Sequence, residues 1–189
     1  DAARLQRVMA PKVAGAWHLH RLTQDRELDL FVLFSSAASV LGAPGQANYA
    51  AANAFLDGLA HYRRRHGLPA LSINWGAWAE AGMAVQASSL AHLATQGLHA
   101  FTPQSGVQML ARVLATDAVQ VTALRADWSL LCARLELPLL QELAAEVADA
   151  GAAGRRRTAG ALAAELRALP PEERPAAIRD LLQRQFYDL

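Results

Sequence analysis

Two short apolar runs, Leu28 to Phe34 (LDLFVLF) and Ala70 to Trp75 (ALSINW), flank an alanine-rich stretch from Gln46 to His66, and this arrangement constrains the fold more than any other feature. Runs this short and this apolar suit strands covered on both faces, the environment of a parallel sheet. Parallel neighbours need a crossover between them, and the intervening stretch has helical composition with Gly67 at its end, where glycine suits a helix C-terminus. The first run gives way to Ser35, Ser36 and Ser39 and then to Gly42, Ala43, Pro44 and Gly45. The order is therefore strand, loop, helix, strand, a βαβ unit.

The flanks extend this pattern. Leu5, Val8, Met9, Val13, Trp17 and Leu19 recur at roughly helical spacing, with Pro11 at a kink or at the start of a second segment. Gly76 to Gly97 is rich in small residues, with a short helix expected at Ser88 to Ala94. Thr102 and Pro103 form an N-cap and first-turn pair for a helix running to about Ala115. Val119 to Leu124 reads as a third strand, and Leu130 to Val147 as one or two short helices broken at Pro138. Residues 1–147 are thus expected to form an α/β body. Residues 148–160, with glycines, alanines and three successive arginines, read as a linker. Residues 161–189 read as a helical tail punctuated by Pro170, Pro171 and Pro175, with Ile178, Leu181, Leu182 and Phe186 on one face. A tail this short must dock on something to hold its helices.

Composition removes several function classes. Hydrophobic residues make up 53% and charged residues 19%, which excludes wholesale disorder, and no apolar run approaches the roughly 18 residues that span a bilayer. A net charge of +1 gives no broad footprint for nucleic acid or an anionic membrane, and neither is expected as a partner. The single cysteine, Cys132, excludes an internal disulfide framework, and the first thirty residues lack a secretory pattern, so a cytoplasmic location is expected. The six histidines include His18 and His20 but no H-E-x-x-H spacing, so no metal is expected. Ser36 lies in no G-x-S-x-G turn, which argues against a hydrolase.

Four polar residues stand where an open α/β sheet places its ligands: Ser36 beyond the end of the first strand, Tyr49 and Asn53 on the following helix, and Lys12 on the preceding one. Taken singly each has an ordinary reading: a turn hydroxyl, a half-buried aromatic, a surface amide and a solvated charge. Together their chemistry is complementary. A phenol with a reference pKa near 10 is a poor proton donor at neutral pH, and a nearby ammonium favours its charged form. Tyr49 and Asn53, four residues apart, share a helix face, and a serine hydroxyl opposite can hold a substrate oxygen. Lys12 is the one lysine among 18 basic residues, a compact charge in a chain that otherwise uses arginine. The set suits ketone reduction or its reverse.

The stretch FVLFSSAASVLGAPGQANYAAANAFLDGLAHYRRRHGLPALSINWGAW resembles the ketoreductase domain of modular type I polyketide synthases, a branch of the short-chain dehydrogenases. In that family the tyrosine motif reads YxxxN and the lysine comes earlier, as in APKVAGAWHLH here. The resemblance covers residues 1–147 and implies part of a Rossmann-like doubly wound parallel sheet. It implies that Tyr49 protonates the carbonyl oxygen, Ser36 helps to hold it, Asn53 supports a proton relay, and Lys12 lowers the phenol pKa and binds the nicotinamide ribose. It further implies NADPH as hydride donor, with Trp75, Gly76 and Ala77 running beside the nicotinamide, and Met83 in the lid over cofactor and pantetheine arm. Leu41 stands where A-type reductases carry tryptophan, and Ala51 where many B-type ones carry proline, so neither stereochemical fingerprint is met.

The chain contains no G-x-G-x-x-G, so the glycine-rich βαβ unit that would hold the pyrophosphate is not in it. The expected partners are therefore the missing N-terminal half of the reductase, other synthase domains, and an acyl carrier protein bearing a phosphopantetheine-linked β-ketoacyl chain. The segment LRALPPEERPAAIRDLLQRQ resembles the junction and first helix of such a carrier protein. The competing expectation is a noncatalytic structural or interaction fragment of a synthase.

Overall fold

In the computed structural model, the structure describes residues 2–80, 87–135, 137–150, 164, 167–170 and 174. The chain divides into two compact units, 1–137 and 138–189. The expected linker lies mostly, and the helical tail almost wholly, outside the described residues. In the second unit a 3-10 turn, Pro138–Leu140, leads into helical residues 141–150.

The first unit is built on a three-stranded parallel sheet in the order β1, β2, β4, with β1 at Val32–Ser36, β2 at Leu71–Trp75 and β4 at Gln120–Ala123. Helix α1, Ala2–Thr23, precedes β1, and α3, Ala47–Arg65, makes the crossover from β1 to β2. Pro11 lies inside α1, which runs as one helix past it. Between β1 and α3 a four-residue helix α2, Ala38–Leu41, occupies what reads in the sequence as a polar turn. Beyond β2 come α4 at Ala87–Thr95, a two-residue strand β3 at Leu98–His99, and α5 at Pro103–Leu114. Thr102 caps α5 as expected, its hydroxyl accepting from the Ser105 amide at 3.2 Å. After β4, β5 at Arg125–Ala126 pairs antiparallel with β3, and α6, Trp128–Arg134, is capped by Asp127.

Strand β1 is shorter than the apolar run it belongs to. Leu30 and Phe34 are 58% and 49% exposed, because β1 is an edge: among the described residues only β2 pairs with it. The Leu71 amide donates to the Phe31 carbonyl and the Ala37 amide to the Trp75 carbonyl. Alternation along the strand therefore turns the carbonyl of Phe34 towards the open side.

Strand β2 is buried along its whole length, and its two faces differ in kind. Leu71, Ile73 and Trp75 pack with Phe101, Val113 and Ala123 in one cluster under α5. Ser72 and Asn74, both fully buried, point the other way, beside the aliphatic cluster of Ala16, Leu33, Leu56, Leu59, Ala60 and Ala70. Glycine is needed at Gly106 on α5, where an added Cβ would lie 2.1 Å from Cη2 of Trp78. The indole of Trp78 rests on the helix at that point and meets Trp75 edge-on at 5.1 Å between ring centroids.

Candidate active site

The four residues singled out from the sequence lie around the carboxyl ends of β1 and β2, the place where open α/β sheets bind ligands. Ser36 is the last residue of β1. Its hydroxyl oxygen accepts from the Ala38 amide at 3.2 Å, which anchors the oxygen and leaves the O–H free to donate. Lys12 reaches the same strand from α1: its Nζ donates to the Phe34 carbonyl at 2.8 Å and stands 6.0 Å from the centre of the Tyr49 ring. Burial pulls the Lys12 pKa below its ordinary value, and the charge of Asp57 opposes that fall.

Asn53 is completely buried one turn beyond Tyr49 on α3. Its Nδ2 donates to the Tyr49 carbonyl at 2.8 Å, and its own carbonyl accepts from the Ser35 hydroxyl at 3.2 Å. Among the described residues its Oδ1 has no hydrogen-bond partner, and a buried acceptor of this kind suits a water or a ligand. Tyr49 is half-buried at the start of the same helix. The phenol, amine, hydroxyl and carboxamide thus share one end of one βαβ unit.

The three residues expected beside the cofactor lie at the end of β2, where Trp75 is its last residue and Gly76 and Ala77 follow. The Trp75 side chain is 5% exposed, wedged among Phe34, Trp78 and Phe101, and its Nε1 is buried without a partner among the described residues. The Gly76 amide donates to the Ala123 carbonyl at 2.9 Å, and the Ala77 carbonyl accepts from the Phe101 amide at 2.8 Å. A Cβ at Gly76 would meet Leu124 at 3.2 Å and the Ala123 carbonyl at 3.4 Å. The close approach that glycine permits there is to the protein's own neighbouring strand. Leu41 ends α2, and Met83 lies outside the described residues.

The half-buried ammonium beside a tyrosine, with an adjacent hydroxyl, fits the polar ribose end of a nicotinamide cofactor. No glycine-rich pyrophosphate turn accompanies it in this sequence. Among the described residues no group of histidine, cysteine and acidic side chains could hold a metal ion, and no helix is long and apolar enough to cross a membrane.

Sequence reasoning missed what lies beneath these four. Asp57 of α3, Ser39 of α2, Ser72 and Asn74 of β2 and Ser35 of β1 form one hydrogen-bonded cluster. Gln120 of β4 extends it, donating to Asn74 Oδ1 at 3.0 Å, and His61 meets Gln120 at 3.1 Å. A signal was present: Tyr49, Asn53 and Asp57 recur every four residues, a polar stripe along one face of the crossover helix.

A family model described as KR domain matches residues 1–80. The spectinabilin polyketide synthase system protein NorB of Streptomyces orinoci is 44% identical over 189 residues, covering 96% of this chain and 9% of its own length. A solved structure titled "Structure of A-type Ketoreductases from Modular Polyketide Synthase" is 42% identical, with a TM-score of 0.67 over 70% of this chain and 28% of its own. The 3-hydroxyacyl-CoA dehydrogenase type-2 of Mycobacterium avium, 23% identical, shares the fold with a TM-score of 0.52 over 65% of this chain and 54% of its own. The chain spans less than a tenth of the curated relative and under a third of the solved ketoreductase. With its parallel sheet and flanking helices it is a partial Rossmann-like α/β fold, and residues 1–80 match the KR domain family, with polyketide synthases and their ketoreductases among the proteins it resembles.

Proposed function

We propose that residues 1–147 supply the proton-donating part of a site that reduces a carrier-bound β-ketoacyl thioester to its β-hydroxyacyl form within a larger synthase. The observation that carries this reading is the approach of Lys12 to Tyr49, with Ser36 at the end of the strand that Lys12 grips. NADPH, when bound, supplies the hydride that reaches the carbonyl carbon. Tyr49 gives its phenolic proton to the carbonyl oxygen, and the free O–H of Ser36 holds that oxygen in place. The Lys12 ammonium stabilises the negative charge left on the phenol oxygen and holds the nicotinamide ribose. Asn53, through its Oδ1, seats a water from which the phenol recovers a proton. Trp75, Gly76 and Ala77 border the nicotinamide, and Leu41 and Met83 border the substrate.

In this reading the pyrophosphate-binding half of the reductase completes the sheet along the open edge of β1. Residues 148–160 form a linker, and residues 161–189 lead into the acyl carrier protein that presents the substrate on its phosphopantetheine arm. Cysteine usage supports a cytoplasmic setting.

The test is NADPH consumption by the complete synthase module with a β-ketoacyl thioester surrogate. Tyr49→Phe is expected to lower turnover by about 100-fold or more, the scale of a lost general acid. Unchanged turnover would remove the acid role and favour a noncatalytic fragment.

A further inference from the structure

The cluster beneath the site is more than a tie between elements. Asp57 is 7% exposed. Its Oδ1 accepts from the Ser72 hydroxyl at 2.6 Å, and its Oδ2 accepts from the Ser39 hydroxyl at 2.7 Å and from Asn74 Nδ2 at 2.8 Å. Three donors from two other elements thus meet on one carboxylate. Asn74 Nδ2 also reaches the hydroxyl oxygens of Ser35 at 3.0 Å and Ser39 at 2.8 Å, so its two hydrogens serve three acceptors. Ser39 is the hinge of the arrangement: its hydroxyl lies 2.8 Å from the Ser36 carbonyl as well as 2.7 Å from Asp57.

Burying a carboxylate is costly, and apolar side chains join helix to strand without that cost. The other face of the same strand is joined in that way, by Ile73, Phe101 and Val113. What hydrogen bonds add is fixed length and direction. The carboxylate and the Ser36 carbonyl share the one proton of the Ser39 hydroxyl, which keeps both within reach of it, and through Asn74 the carboxylate fixes Ser35, whose hydroxyl holds the carbonyl of Asn53. Both serines of the turn are thereby indexed to the helix that carries Tyr49 and Asn53. The charge of Asp57 also acts on Lys12, against the effect of its burial.

We propose that Asp57 is a positioning residue for the ketone-reducing site, its carboxylate setting the distance between the Ser36 turn and the Tyr49 and Asn53 face of α3 through Ser39 and Asn74. The role rests on the reading of the site given above. Displacement of a reacting group by about 1 Å is enough to cost on the order of 100-fold in rate, so a loosened turn shows itself in turnover before it shows itself in binding.

The experiment measures kcat, and KM for both NADPH and the thioester surrogate, in the complete module carrying Asp57→Asn, the exchange Asp57→Asn with Asn74→Asp, or Tyr49→Phe, together with thermal unfolding. Asp57→Asn sets an N–H₂ against the donors of Ser39 and Asn74. It is expected to lower kcat by about tenfold or more and to change either KM by less than about threefold. The exchange keeps a carboxylate and a carboxamide in contact and is expected to return kcat to within about threefold of the parent. Unchanged kcat in Asp57→Asn, or a loss confined to KM or to the unfolding temperature, overturns the positioning role. If Asp57→Asn does not fold, Ser39→Ala decides: a fall of about threefold in kcat alone supports the role, and an unchanged kcat overturns it. A parent that turns over, with an inactive Tyr49→Phe and an unaffected Asp57→Asn, removes this role alone. A parent without turnover removes the reading of the site and this role with it.

Discussion

The two faces of β2 are equally dry and are held by opposite means. Towards α5, Leu71, Ile73 and Trp75 meet Phe101, Val113 and Ala123 through contact alone. Towards α3, Ser72 and Asn74 meet Asp57 through hydrogen bonds of 2.6 and 2.8 Å. An apolar face tolerates sliding and exchange of similar volumes, whereas a hydrogen-bonded face permits one arrangement and penalises the rest. The candidate site sits above the second kind. The difference separates a face that supplies cohesion from a face that supplies registration.

The largest effect that would break this contrast is on the polar side. Asn74→Leu, close in size, leaves Asp57, Ser35 and Gln120 each short of a partner, and at about 1–3 kcal/mol for each orphaned group the loss exceeds about 3 kcal/mol. Denaturant unfolding of the chain measures it, and a loss below about 1 kcal/mol would make the two faces equivalent. On the apolar side, Gly106→Ala pushes a methyl into the Trp78 indole and is expected to cost about 2 kcal/mol. The same variant shifts the tryptophan emission as the indole moves, a readout that separates displacement of Trp78 from general loosening.

The smallest effect lies at the far end of the α3 side. His20 is buried against Trp17 and Tyr62, and its Nδ1 accepts from the Arg63 guanidinium at 3.2 Å. Burial foremost, then the Arg63 guanidinium and then His66, hold its pKa below the ordinary 6.5. The unfolded chain therefore takes up this proton first as pH falls, and the stability present above about pH 6.5 is lost progressively below it. His20→Gln should flatten that slope by up to about 1.4 kcal/mol per pH unit, seen as a smaller difference in unfolding free energy between pH 7 and pH 5.5. An unaltered slope would place the acid sensitivity elsewhere.

The βαβ unit was legible because two apolar runs and a long alanine-rich stretch leave few other solutions, and because Thr102 and Pro103 announce a helix through local chemistry alone. The quartet was legible because its residue types complement one another. The polar face of β2 was hidden because ALSINW reads as one apolar run, although Ser72 and Asn74 alternate with its apolar residues at the period of a strand. Helix α2 was hidden because ASVL is too short to show a helical period. The pairing of β3 with β5 joins two-residue segments far apart in sequence, and nothing local marks it. Leu28 to Phe31 read as strand because hydrophobicity does not tell an edge from a centre, and the register with Leu71 begins only at Val32.

The grip of Lys12 on the Phe34 carbonyl carries a consequence of its own. That carbonyl points away from β2, into the row of backbone groups that a further strand would use, so the ammonium and any incoming amide share one acceptor. With two lone pairs the oxygen has room for both, so a strand arriving at this edge would meet an acceptor already held from one side by the ammonium. The edge of the sheet and the placement of the lysine thus meet at a single oxygen atom.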